Sequence, residues 1–187
     1  VLLRNIILHY PQKTKYQLSL AALMARQGNR DSEMNDVLNA VYIDEPDSTL
    51  ALRYKIMLQM QSKQYEKALE TAREISSEYP FLNVGEVLEG DIFWQMEEFE
   101  QALSLYKQAY RKYPDNVLAI KIADALIARQ KSASAIEFLS DQVAEQDDNL
   151  TLLFKLARIY QQQEEDQQAI NYYKQILKQQ ADNATVL

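Results

Sequence analysis

"YKQAYRKYPDN", Tyr106 to Asn116, has a near copy in "YKQILKQQADN", Tyr173 to Asn183, where Ala181 replaces the proline. The two phrases begin 67 residues apart, and the chain between and before them follows the same rhythm. Three of the four prolines, Pro46, Pro80 and Pro114, are separated by 34 and 34 residues, which is a repeat period. Twelve residues before Pro80 and Pro114 stand Ala68 and Ala102, inside "YEKALETAREISSEYP" and "FEQALSLYKQAYRKYP". Similar phrases surround Ala135 and Ala169, so the alanines fall at 68, 102, 135 and 169, with one residue dropped in a turn before Ala135. Upstream, "SEMNDVLNAVYIDEP" carries Met34 in the alanine place, and "VLLRNIILHYP" reads as the tail of an earlier unit ending at Pro11. The interval from Pro11 to Pro46 is 35, one loop residue longer.

Within a unit the apolar spacing is helical. Leu153, Leu156, Ala157 and Tyr160 follow the i, i+3, i+4, i+7 pattern, and Ala169, Tyr173 and Ile176 resume it after the polar break "QQQEED". Each unit is therefore expected to be a helical hairpin. A single hairpin cannot cover its own apolar stripe, so neighbours must stack. The recurrent alanines suit helices approaching to about 8–10 Å. The expected organisation is a half-unit at 1–12, five repeats at 13–47, 48–81, 82–115, 116–148 and 149–182, and the start of another at 183–187. Composition agrees: three Gly and four Pro leave little turn material in a 187-residue chain, and the helix formers Ala, Leu, Gln, Glu and Lys dominate. An all-α fold follows.

A 34-residue hairpin with a small residue eighth, an aromatic eleventh, Ala twentieth, an aromatic twenty-fourth, Ala twenty-seventh and a late Pro resembles the tetratricopeptide repeat (TPR). The third unit has Gly90, Phe93, Ala102, Tyr106, Ala109 and Pro114 at those places. The fifth has Leu153, Leu156, Ala157, Tyr160, Ala169, Tyr173 and Ile176. The resemblance implies an all-α, right-handed superhelical solenoid of antiparallel helical hairpins. Departures fall at Glu89, a place usually Leu, at Gln59, where an aromatic is expected, and in the short fourth unit; they bear on helix geometry around 52–61 and 128–135. The Gln-rich texture and the "ADNATVL" ending are also similar to bacterial envelope TPR proteins linked to exopolysaccharide and sorting loci, so cytoplasmic and periplasmic or envelope locations are both compatible.

The residue inventory excludes several chemistries. There is no cysteine and a single histidine, His9, so a zinc site with two His or Cys ligands and a cysteine nucleophile are both ruled out. Near the end of the leading helix, His9 suits the negative end of the helix dipole. "EEFE" at 97–100, "QDDN" at 146–149 and "EED" at 164–166 read as turn and cap chemistry rather than an acid pair. No Gly-rich phosphate loop exists. The expectation is a non-enzyme without metal or cofactor. A net charge of −7 argues against a mainly electrostatic nucleic-acid binder, and no apolar run reaches the roughly 20 residues that cross a bilayer.

What remains is binding. The family resemblance implies that the first helix of each hairpin lines a concave groove. Projection onto that frame places Tyr16, Leu23 and Arg26 in the first, Arg53, Met57 and Met60 in the second, and Asp91, Trp94 and Gln95 in the third. Lys121 and Arg129 come from the fourth, and Phe154, Arg158 and Gln161 from the fifth. This set holds five cations and one acid in an acidic chain, and Trp94, beside the core residue Phe93, is expected on an exposed face. Such a groove suits a peptide or protein segment with acidic and apolar groups. The carboxylate clamp for chaperone tails needs Lys and Asn four residues apart; Ser19 and Leu23, or Lys121 and Ala125, stand there instead. The alternative function is a spacer or assembly module of an envelope protein. Finally, the loss of the proline at Ala181 predicts a looser boundary at 180–183 than at 113–116.

Overall fold

A computed structural model describes residues 49–145 and 149–184, together with 16, 17, 19, 20, 23, 24, 36, 37 and 41. The leading half-unit with His9, the residues Arg26 and Met34, and the closing 185–187 lie outside the described residues.

Among the described residues eight helices are delimited, and there is no strand. They are α1 (Thr49–Gln61), α2 (Tyr65–Glu78), α3 (Val84–Gln95), α4 (Phe99–Lys112), α5 (Asn116–Ala128), α6 (Ser132–Glu145), α7 (Leu150–Gln162) and α8 (Asp166–Ala184). The odd helices are the first and the even ones the second of each hairpin. The fold is an all-α, TPR-like solenoid. The chain divides into two compact units, Val1–Met96 and Glu97–Leu187.

In the N-terminal unit α2 packs against both α1 and α3. Ala68, Leu69, Ala72 and Ile75 form the buried stripe of α2 and meet Leu52 and Ile56 of α1 and Leu88 and Ile92 of α3. The alanine and its helical neighbours thus do what their spacing requires: they let three helices share one core. The two polar departures in this unit find polar partners on α2. Gln59 Oε1 lies 3.3 Å from the Thr71 hydroxyl, and Glu89 accepts from Ser76 at 3.2 Å and from Arg73 at 3.4 Å. A partly buried polar group that is hydrogen-bonded escapes most of its desolvation cost, so α1 and α3 remain regular helices. The contact of α2 with α3 is close enough that a Cβ on Gly85 would stand 2.0 Å from Ser76 Oγ and 2.8 Å from its Cα.

The C-terminal unit repeats the scheme. First helices α5 and α7 pack on each other, α5 also on α4 and α6, and α7 on α6 and α8. Being flanked on three sides, α5 buries Leu118, Ala119, Ile122, Ala123, Ala125 and Leu126, nearly all round. Second helix α4 buries the narrower stripe Ala102, Leu103, Tyr106 and Ala109 and keeps a polar face. That difference explains why α4 looks amphipathic in sequence and α5 almost uniformly apolar.

The turns inside the hairpins are all three residues long, at 62–64, 96–98, 129–131 and 163–165. Each has a non-glycine residue at positive φ in its middle: Lys63 (56°), Glu97 (62°), Gln130 (58°) and Glu164 (62°). In three of them the paired backbone bonds of a Schellman stop are present. Lys131 N–H donates to the Leu126 carbonyl (2.9 Å) and Gln130 N–H to that of Ile127 (2.8 Å), with the same arrangement after Gln61 and Gln162.

The turn before Ala135 is thus as long as its counterparts, and the residue expected to be missing there is missing elsewhere. Only three residues separate α4 from α5, against five between α2 and α3. From Leu118 onward the first helices run in a 34-residue register: buried Leu118, Ala119, Ile122 and Ala123 answer to Leu152, Leu153, Leu156 and Ala157. The proline comparison is also corrected. Pro114 follows the end of α4, a 14-residue helix, whereas α8 continues through Ala181 to Ala184 and reaches 19 residues. Alanine retains the N–H that proline lacks, so no joint forms at 180–183.

Candidate functional site

About half of the described residues projected onto the groove are exposed; the others are partly buried. In the N-terminal unit Met57 packs against Met24 and Leu58, and Met60 against the core around Leu52 and Ile56. Both methionines therefore serve packing between helices. Phe93 packs on that core as expected, but its neighbour Trp94 is only partly exposed, and so is Asp91. Arg53 and Gln95 are exposed, as are Tyr16 and Leu23; Arg26 lies outside the described residues.

In the C-terminal unit two projected cations turn toward α4. Lys121 Nζ sits 5.3 Å from the centroid of the buried Tyr106 ring, and Arg129, which caps the C-terminus of α5, is ion-paired with Glu100. The 34-residue register explains this. The counterparts of Phe154 and Arg158 are Ile120 and Asp124, one position before Lys121 and three after it. Asp124 in turn accepts from Lys155, which ties α5 to α7.

Phe154 and Arg158 remain open to solvent on α7. Phe154 is 49% exposed and leans edge-on against Tyr173 of α8, ring centroids 6.0 Å apart. The Tyr173 hydroxyl donates to Gln161 Oε1 at 3.3 Å. Phe154, Arg158 and Gln161 are spaced i, i+4, i+7, so one stripe of α7 carries an aromatic anchor, a guanidinium and an amide, braced from below by Tyr173. Arg158 has no ion pair among the described residues, and on α5 Val117 adds a 63% exposed apolar side chain. The remaining aromatics of this hairpin are structural: Tyr160 stacks on Tyr172 at 5.6 Å, and burial with nearby Tyr172 and Glu165 raises the Tyr160 pKa above its ordinary value.

Two smaller clefts flank Tyr110, which bridges α4 and α6 by donating to Gln142 and by an edge contact with Phe138 (5.7 Å). One, of about 300 Å³, is lined by Asp115, Asn116, Gln142 and Asn149 and is filled with mutual hydrogen bonds. The other, of about 320 Å³, opens toward the α5–α6 turn and carries Lys107, Arg129 and Lys131. Of the residues singled out in the sequence only Arg129 lines either cleft, because the other lining residues include second-helix side chains that meet only in the tertiary structure.

Stacked helical hairpins of 33 to 34 residues with small residues at the crossings define a helical-repeat protein. Residues 93–150 and 152–185 match tetratricopeptide repeat family models, and the chain belongs to the tetratricopeptide repeat family. Among solved structures it is similar to a thermophilic TPR protein of Thermus thermophilus, with a TM-score of 0.65 and 19% identity over 89% of this chain and 91% of that one. MamA from Desulfovibrio magneticus gives 0.61 and 13% over 91% and 96%. The human IFIT1 dimer with m7Gppp-AAAA gives 0.72 and 18%, covering 94% of this chain and 44% of that one. These likenesses concern the fold. No curated protein matches the chain. Tetratricopeptide repeats generally mediate protein–protein interaction and are generally non-catalytic scaffolds. No helix among the described residues is long and apolar enough to cross a membrane.

Proposed function

We propose that this chain is a non-catalytic binding module that holds a peptide or protein segment on the exposed face of its first helices, with Phe154 and Arg158 as principal anchors. The observation that carries this reading is the stripe on α7: an aromatic ring half exposed and an arginine with no ion pair among the described residues, one turn apart, on a helix braced by Tyr173. Neither side chain is needed by the core. An aromatic supplies contact area at small entropic cost, and a guanidinium offers a two-pronged match to a carboxylate, the combination that dominates many interfaces. The ligand chemistry that fits is a segment with one apolar side chain and an acidic group about one helical turn away.

The test is affinity capture from the source cell with the chain and with Phe154→Ala/Arg158→Ala, scored by quantitative mass spectrometry. Partners lost from the double variant identify the surface, and an unchanged partner set refutes it. Both side chains are exposed, so the variant is expected to unfold at the same temperature as the parent.

A further inference from the structure

The 320 Å³ cleft at the α5–α6 turn has a charge opposite to that of the protein. The chain carries a net −7, yet the cleft is edged by Lys107 from α4, Arg129 from the end of α5 and Lys131 from the turn, against Glu137 in the lining and Glu100, which pairs with Arg129. Its floor is apolar, made by Leu103, Leu126 and Phe138. Neither Lys107 nor Lys131 has an ion pair among the described residues. Arg129 is engaged, and its partner is informative. Its side chain is 23% exposed, while that of Glu100 is 68% exposed, so a mostly buried guanidinium is met by a carboxylate that reaches in from solvent. Glu100 stands one helical turn from Leu103 and two from Lys107 on the same face of α4, at the lip of the cleft. An external carboxylate can take its place, because Glu100 is the solvent-exposed member of the pair and its release leaves no buried carboxylate unpaired.

We infer that this cleft is a second docking site, for a short acidic peptide segment whose carboxylates meet Lys107, Arg129 and Lys131 and whose one apolar side chain enters the floor between α4 and α6. The size commits the proposal to a short segment: 320 Å³ is at the small end of ligand sites, room for one anchoring side chain. Charge complementarity names the occupant. Three cations around an apolar floor favour carboxylates interspersed with an apolar residue, and a low-dielectric floor strengthens the attraction. The site lies on α4, the end of α5, the turn after it and α6, away from the α7 stripe, so it stands or falls independently of the reading above.

Fluorescence anisotropy with the 187-residue chain and a fluorescein-labelled Glu-Asp-Leu-Glu-Phe-Glu peptide tests it. Saturable binding is expected that weakens as salt rises from 50 to 500 mM and is absent for the Lys-Lys-Leu-Lys-Phe-Lys peptide. Lys107→Glu/Lys131→Glu should weaken it about ten-fold or more, since like charges would face the ligand. Glu100→Gln should tighten it roughly two- to five-fold by freeing Arg129. All measurements are made in the Phe154→Ala/Arg158→Ala background, so that binding at the α7 stripe does not contribute. Binding insensitive to the lysine reversal, equal binding of the basic peptide, no saturable binding, or binding of a short oligouridine in place of the acidic peptide would each overturn the inference. Circular dichroism establishes that the variants are folded.

Discussion

Asn116 and Asn149 face each other across two repeats and exchange both of their amide hydrogen bonds, Asn116 Nδ2 to Asn149 Oδ1 at 3.1 Å and Asn149 Nδ2 to Asn116 Oδ1 at 2.6 Å. The same Asn149 oxygen caps α7 by accepting from Leu152 N–H at 3.2 Å. One buried side chain thus starts a helix and fixes it to the start of the previous first helix, 33 residues back. Replacing Asn149 by Ala removes a cap and leaves Asn116 short of partners, a loss of about 1–3 kcal/mol in urea unfolding. Asn116→Ala alone should cost less, because the cap survives. A double-mutant cycle should show coupling between the two positions; strict additivity would contradict the pair.

Gly85 is a place where the close approach of α3 to α2 admits no side chain. Gly85→Ala should destabilise the N-terminal unit by roughly 1–3 kcal/mol despite the better helix propensity of alanine. Ser76→Ala should not rescue it, since the new Cβ would still meet Ser76 Cα and Cβ at 2.8 Å. Thermal unfolding of both variants checks this.

Gln130 sits at φ 58° in the turn between α5 and α6, where a side chain is strained. Gln130→Gly should raise stability by about 0.5 kcal/mol, the relief of strain being partly offset by the greater freedom of glycine in the unfolded chain. Gln130→Val should lower stability by more than 1 kcal/mol, as a β-branched residue tolerates positive φ worst. Equal stabilities of the three proteins in urea would remove strain from the account of these turns.

Tyr160 gives the alkaline limb of stability a direction. Its folded pKa lies above the ordinary value of about 10, first through burial and then through Tyr172 and Glu165. The folded state therefore retains a proton that the unfolded state has released. The stabilisation is complete below about pH 10 and is lost as pH rises from there through the folded pKa. Absorbance at 295 nm should show a late-titrating tyrosine that disappears in Tyr160→Phe, and that variant should lose less stability between pH 9 and 11 than the parent.

Ala102 is wholly buried, like Ala68 and Ala135 at the equivalent crossings. Ala102→Leu is expected to overpack its crossing at a cost of about 1–3 kcal/mol, whereas Ser104→Leu on the exposed side of α4 should change stability by less than about 0.5 kcal/mol. Parallel urea titrations of the two variants check the contrast.

The spacing of Ala68, Ala102, Ala135 and Ala169 and of the prolines was enough to read hairpins, their number per length of chain and their buried stripes, because those features are local: a helix has a period, a crossing needs a small residue, and both leave marks every 33 to 34 positions. The polar departures at Gln59 and Glu89 were legible only as irregularities, since their partners Thr71, Ser76 and Arg73 lie on another helix. Packing had to settle which side chains are left over for binding. Lys121 lies against the Tyr106 ring, and Asp124 stands at the place on α5 that answers to Arg158 on α7. Phe154 can be seen as exposed and braced only once Tyr173 is in position beside it, and the cationic cleft is assembled from side chains of α4, α5, α6 and the turn between the last two. Repeats write their core in sequence because every unit must bury the same face; their surfaces depend on where neighbouring helices leave that face open.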